Sequence, residues 1–118
     1  ADTALRHVNV RRTIVAITRA LNVGLQWVVF ENNDQDLWQM LARDVTYFLD
    51  QLWRNGYLKG DNAKEAFLVR CDAKINSPKA RERGRVNVDV WLAPFRPAEF
   101  LGLRVTQEVD VLARGDGA

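Results

Sequence analysis

The sequence predicts an α+β domain, two main helices packed on a small, mostly antiparallel sheet. Three observations predict it. Apolar residues recur at helical spacing in the first half of the chain, and they alternate with polar ones in the second. The length, 118 residues, allows a single domain (1–118) with one core. At 47% hydrophobic and 27% charged, the composition carries enough apolar surface to offset chain ordering, which excludes disordered, collagen-like and low-complexity classes.

Taken in order, Val10, Ile14, Ile17 and Leu21 fall on one face of a first helix, which weakens at Asn22 and Gly24. Arg12 and Arg19 share a stripe away from that face. A short apolar run, Leu25 to Phe30, follows, with Trp27 and Phe30 expected as core anchors because each can bury a large area. Asn32-Asn33-Asp34 supplies a turn and an N-cap. A second helix is expected from about Asp34 to Arg54, with Leu37, Trp38, Leu41, Val45, Phe48, Leu49, Leu52 and Trp53 on its apolar stripe. Gly56 ends it, since glycine tolerates the left-handed conformation. A single helical turn fits Asn62 to Ala66.

The period then changes to two. Phe67, Val69 and Cys71 alternate with Leu68, Arg70 and Asp72, and Val86, Val88, Val90 and Leu92 alternate with Asn87, Asp89, Trp91 and Ala93. Phe67 and Trp91 are expected among the core anchors. Pro94 and Pro97 cannot donate ladder hydrogen bonds, so the second strand stops near Phe95. The closing strand carries Leu101, Leu103, Val105, Val109 and Val111, with Gln107 breaking its apolar face. The core spans about 8–111, and 112–118 reads as a flexible tail. No later element can cover or pair the closing strand, and a long apolar edge invites pairing with another chain.

Chemistry has little raw material. One Cys (Cys71) excludes a disulfide framework or a four-ligand zinc site, and His7 has neither a second histidine nor a spaced carboxylate pair nearby. Cys71 reads as a small buried residue on a strand. The chain is therefore expected to be no enzyme, without catalytic residues, metal or cofactor. No uninterrupted apolar run reaches the length of a membrane span, so membrane insertion is not expected. The start, Ala-Asp-Thr-Ala, has neither Met nor a signal segment, so a piece of a longer protein is expected. Net charge is only +2, so clustering matters more than the pI of about 9.0. Lys79 to Arg85 is locally basic, as is Arg11-Arg12, but neither is interleaved with aromatics for base stacking. The solvated loop and helix face are preferred, and a small basic nucleic-acid-binding domain is kept as the alternative.

One ordered set of blocks is more specific. It runs Val8-Asn9-Val10-Arg11-Arg12, then Gln26-Trp27-Val28-Val29-Phe30-Glu31-Asn32-Asn33, then Leu52-Trp53-Arg54-Asn55-Gly56 with Leu58 and Gly60. Phe67-Leu68-Val69-Arg70-Cys71-Asp72, Gly84-Arg85 and Ala93-Pro94-Phe95-Arg96-Pro97-Ala98-Glu99-Phe100 follow. Together they resemble the C-terminal domain of contractile tail sheath proteins, a family found in contractile phages, R-type tailocins, extracellular contractile injection systems and type VI secretion sheaths. The resemblance covers Val8 to Gln107. It implies a structural subunit that polymerises into a helical sheath around an inner tube and contracts to drive the tube through a target envelope. It implies sheets completed by strands exchanged between neighbouring copies, with Leu103, Val105, Gln107, Val109 and Val111 as the interlock. It also implies outer sheath domains missing from this chain, and a basic surface gripping the tube, with Arg54, Lys59, Lys64, Arg12 and Arg19 as candidates. The implied partners are other copies, the inner tube protein, and baseplate and terminator proteins. The implied location is a virion tail or contractile injection particle assembled in the bacterial cytoplasm.

Overall fold

The computed structural model describes residues 2–109. In chain order the elements are α1 (Asp2–Gly24), a 3₁₀ helix (Gln26–Phe30), α2 (Gln35–Arg54), α3 (Ala63–Ala66), β1 (Phe67–Arg70), α4 (Pro78–Glu82), β2 (Arg85–Leu92) and β3 (Leu101–Glu108). The strands form one antiparallel sheet in the order β1-β2-β3. Phe67 pairs with Leu92 and Val69 with Val90, while Val88 pairs with Val105 and Val90 with Leu103. Because side chains alternate along a strand, this register puts all of them on one face. Ile17, Leu21, Leu25 and Val28 from the first segment, and Leu37, Trp38, Leu41, Val45 and Leu49 from α2, close over that face. The architecture is the expected one, two major helices on a small open sheet.

The ends of α2 follow from side-chain chemistry. Asp34 Oδ1 accepts from the Leu37 N–H at 3.1 Å, satisfying one of the orphan donors of the first turn. At the other end, the Gly56 N–H donates to Trp53 O and the Tyr57 N–H to Leu52 O, both at 3.0 Å. That double closure needs a left-handed residue, and Gly56 supplies φ +88°. Asn33 bridges two layers: its Nδ2 donates to Arg85 O (2.7 Å) and its Oδ1 accepts from Trp38 Nε1 (2.8 Å). Asn33→Ala strands both partners, and a loss of about 1–3 kcal/mol is expected in urea unfolding.

Several expectations are corrected. Phe30 is no core anchor: it is 73% exposed, because the 3₁₀ helix turns its side chain outward at the end of the run. Trp91 is half-buried on the sheet face opposite the core, where the alternation of β2 puts it. Its indole lies over Gly102, and a Cβ there would meet Trp91 Nε1 at 3.0 Å. Trp38 and Phe67 are buried, while Trp27 and Trp53 are half-buried against the core. The basic Lys79–Arg85 stretch is not all loop. Ser77 Oγ accepts from the Ala80 N–H, and Pro78 starts the short helix α4. By length and composition, Val10–Phe30 is long and apolar enough to cross a membrane. Ile17, Leu21, Leu25 and Val28 within that segment belong to the core.

Candidate assembly surfaces

The closing strand is served by its own chain along one edge and on one face. β2 pairs with it throughout Leu101–Glu108, and α1 and the 3₁₀ helix pack against it. Val105 and Val109 are buried, Leu103 is half-buried against the core, and the Val109 N–H donates to Gly84 O. The expectation considers only a later element; an earlier strand, β2, does the pairing. The polar break in its apolar face also has a purpose. Gln107 Nε2 donates to the backbone oxygen of Asn22 (3.3 Å) and to Asn22 Oδ1 (3.1 Å), serving one of the orphan carbonyls near the end of α1. Val111 lies outside the described residues, as does 112–118.

Among the described residues, neither the outer edge of β3 nor that of β1 has a strand beside it. Between β1 and α2 lies an open groove of about 470 Å³, lined by Thr46, Tyr47, Lys64, Phe67 and Leu68 among others. Tyr47 and Leu68 on this groove are largely exposed. Sequence reasoning placed the open edge only at the closing strand. The available signal for β1 was its shortness, together with apolar Leu68 on the side away from the core.

The expected tube-facing cations do not form one cluster. Arg54 is exposed, paired with Asp50 (Nε–Oδ2 2.7 Å) and positioned over the Trp53 ring at 5.8 Å. The ion pair raises the guanidinium pKa further. Lys59 Nζ donates to Gly56 O at 3.3 Å. Arg12 lines a groove with Leu52 and Tyr57, so it stands at the same end of α2 as Arg54 and Lys59. Arg19 is exposed two turns further along α1, and Lys64 lines the β1–α2 groove instead. The basic residues of the nucleic-acid alternative are also separated. Lys79, Arg83 and Arg85 line a hollow that does not include Arg12.

The surroundings of Cys71 favour its protonated form. Burial pushes its thiol up to about 12; the Asn76 amide pulls the other way, and the charges of Asp72 and Asp89 add to the rise. The fold favours the thiol over the thiolate. Its contribution is therefore complete below the ordinary value of 9.0 and is lost as pH rises from there towards about 12. Wild type is expected to lose more stability than Cys71→Ala across that window, as read by urea unfolding at pH values of about 8 and about 10.5. The first cause of the lowered Asp72 pKa is its hydrogen bond from Arg70 Nε at 2.9 Å. Among the described residues no group of three His, Cys, Asp or Glu could hold a metal ion. The side chain of His7 is outside those described.

What the fold offers, among the described residues, is two strand edges without a neighbour, with exposed cations at several separate places. This is the equipment of a structural assembly domain. The family model of the phage tail sheath C-terminal domain matches residues 1–108, and the chain belongs to that family. Among solved structures, it is similar to a chain of the six-fold symmetrised baseplate of the anti-feeding prophage (AFP), with 35% identity and a TM-score of 0.68 over 84% of this chain. It is similar to a chain of the contracted PVC sheath complex of an extracellular contractile injection system, with 31% identity and a TM-score of 0.66 over 85%. A chain of the contracted AFP helical sheath gives 36% identity and a TM-score of 0.65 over 84%. In each case the chain spans 28% of the other chain's length. No curated protein sequence matches it. As a domain of a structural sheath family, it is not an enzyme.

Proposed function

We propose that this chain is the assembly domain of a sheath subunit, which polymerises with other copies around an inner tube and contracts to drive that tube through a cell envelope. The observation that carries the reading is the small sheet whose two edges have no strand beside them among the described residues, in a chain of the sheath family. Strand addition uses main-chain hydrogen bonds for affinity and side-chain pockets for register. The interlock is then made by the backbone of the Leu103–Val111 segment, with the side chains of Val105 and Val109 kept in their own core. The β1 edge and its groove accept a neighbour's strand. Outer domains, baseplate and terminator proteins complete a tail or injection particle assembled in the bacterial cytoplasm.

Electron microscopy of the full-length subunit tests this. Removing 110–118 is expected to abolish hollow helical cylinders while the domain keeps its cooperative unfolding. Normal cylinders from the truncated subunit would refute any part for Val111 and the residues after it in the interlock.

Arg12, Arg54 and Lys59 at one end of α2 are the first candidates to face an acidic tube, ahead of Arg19 and Lys64. Exposed ion pairs give about 0–1 kcal/mol each, which suits a contact that releases on firing. Rising salt is expected to loosen tube from sheath before sheath from sheath, as read by sedimentation of assembled particles. Equal sensitivity of both contacts would contradict the electrostatic grip.

A further inference from the structure

Four cations converge on one hollow on the sheet face opposite the core. Lys74 comes from the loop after β1, Lys79 and Arg83 from α4 and its C-terminal end, and Arg85 from the start of β2. They line a cavity of about 490 Å³, with Arg104 and Thr106 of β3 forming its far wall. Arg104 is already neutralised. Its Nε and Nη2 donate to Asp89 Oδ1 and Oδ2 at 2.6 and 2.9 Å. Among the described residues none of the other four forms an ion pair, although Arg85 stands opposite Glu108 in the β2–β3 register.

Hydrogen bonds hold the backbone beside this hollow. Asn76, fully buried, donates from Nδ2 to Asp72 O (3.0 Å) and Asn87 O (3.1 Å), and its Oδ1 accepts from the Asn87 N–H (2.7 Å). Asn87 Nδ2 donates to Ile75 O at 2.9 Å, and its Oδ1 accepts from the Thr106 hydroxyl at 2.7 Å. This buried amide network ties the segment that carries Lys74 and leads into α4 to the middle of the sheet. With the backbone held, a guest ion has only the exposed side chains left to order on binding.

The lining selects the guest. It contains no aromatic ring on which a base could stack. The four cations line a single hollow of about 490 Å³, a space that fits a compact ion better than a long polymer. Arginine forks and lysine point charges both match phosphate oxygens. We propose that this hollow binds a compact polyvalent phosphate, of the oligophosphate class.

Calorimetric titration of the chain with sodium tripolyphosphate at low salt tests the assignment. Saturable one-to-one binding is expected, weakened at least about tenfold by Lys79→Glu/Arg83→Glu, as loss of several charge-assisted contacts requires. The neutral pair Lys79→Gln/Arg83→Gln gives a smaller loss of the same sign, and Arg12→Glu/Arg19→Glu leaves binding unchanged. All four positions are exposed, and thermal unfolding of each variant without phosphate checks that it is folded. Tripolyphosphate raises the unfolding midpoint of wild type and not that of Lys79→Glu/Arg83→Glu. Absence of saturable binding, or binding that Lys79→Glu/Arg83→Glu leaves intact, overturns the proposal. Citrate binding as tightly as tripolyphosphate overturns the phosphate assignment. A short DNA duplex that binds more tightly, and is weakened by Arg12→Glu/Arg19→Glu, replaces it with a nucleic-acid surface.

Discussion

Val105→Asp is expected to leave the chain without a cooperative unfolding transition. Val105 is 3% exposed and pairs with Val88, itself 1% exposed, so the new carboxylate would stand in the middle of the core face. The substitution gives up about 1.5–3 kcal/mol of valine burial. It also leaves an unpaired buried charge, a defect that costs about 3–5 kcal/mol. Together these approach the whole stability of a small domain, about 5–15 kcal/mol. Circular dichroism through a thermal ramp reads the outcome. Thr106→Asp is the control, since one residue along the strand the side chain points to the wet face. There the cost is about 1 kcal/mol, for the hydroxyl bond to Asn87. Because Val105→Asp would destroy the subunit itself, absence of sheaths from that variant cannot report on strand exchange. A native-like melt for Val105→Asp would show that Val105 is not sealed by its own chain.

Leu41→Ala is expected to cost about 2–5 kcal/mol in urea unfolding, the range for deleting a large buried aliphatic side chain. Leu41 is 0% exposed, in the first half of α2, and belongs to the core cluster that the helix shares with the first segment and the sheet. The neighbouring Met40, at 38% exposed, is the matched comparison, and Met40→Ala should stay within about 0.5 kcal/mol. Equal losses at both positions would mean that the helix is rotated relative to the sheet.

Most of the architecture was legible because it rests on local rules. Asp34 caps α2, Gly56 closes it, and Asn62 caps α3 by accepting from the Glu65 N–H at 3.2 Å, each within a few residues of sequence. The alternation through β2 also carried its own register. The misses came where a residue's type spoke louder than its position. Phe30 looked like a core residue because it is aromatic, yet the five-residue 3₁₀ helix, with its different period, turned it to solvent. Trp91 sits at an odd position in a strand whose even positions are buried, so its face could have been read from the same alternation. α4 was hidden in a basic stretch, although Ser77-Pro78 is a helix start. The gathering of Lys74, Lys79, Arg83 and Arg85 around one hollow was not legible at all. It depends on Asn76 and Asn87 meeting across the loop, a contact that no local spacing encodes. The assembly surfaces divide similarly. The closing strand was visible as a pattern, but its partner β2 and the second open edge at β1 are products of sheet order.

The tie from Gln107 to Asn22 has a mechanical meaning. A 23-residue helix is a rod of about 34 Å, stiff on the scale of this domain. Its C-terminal end is fastened to β3 by that amide and by Leu21 in the core beneath it. A pull or twist applied to α1 would therefore reach the closing strand through these contacts as well as through the turn that follows Gly24.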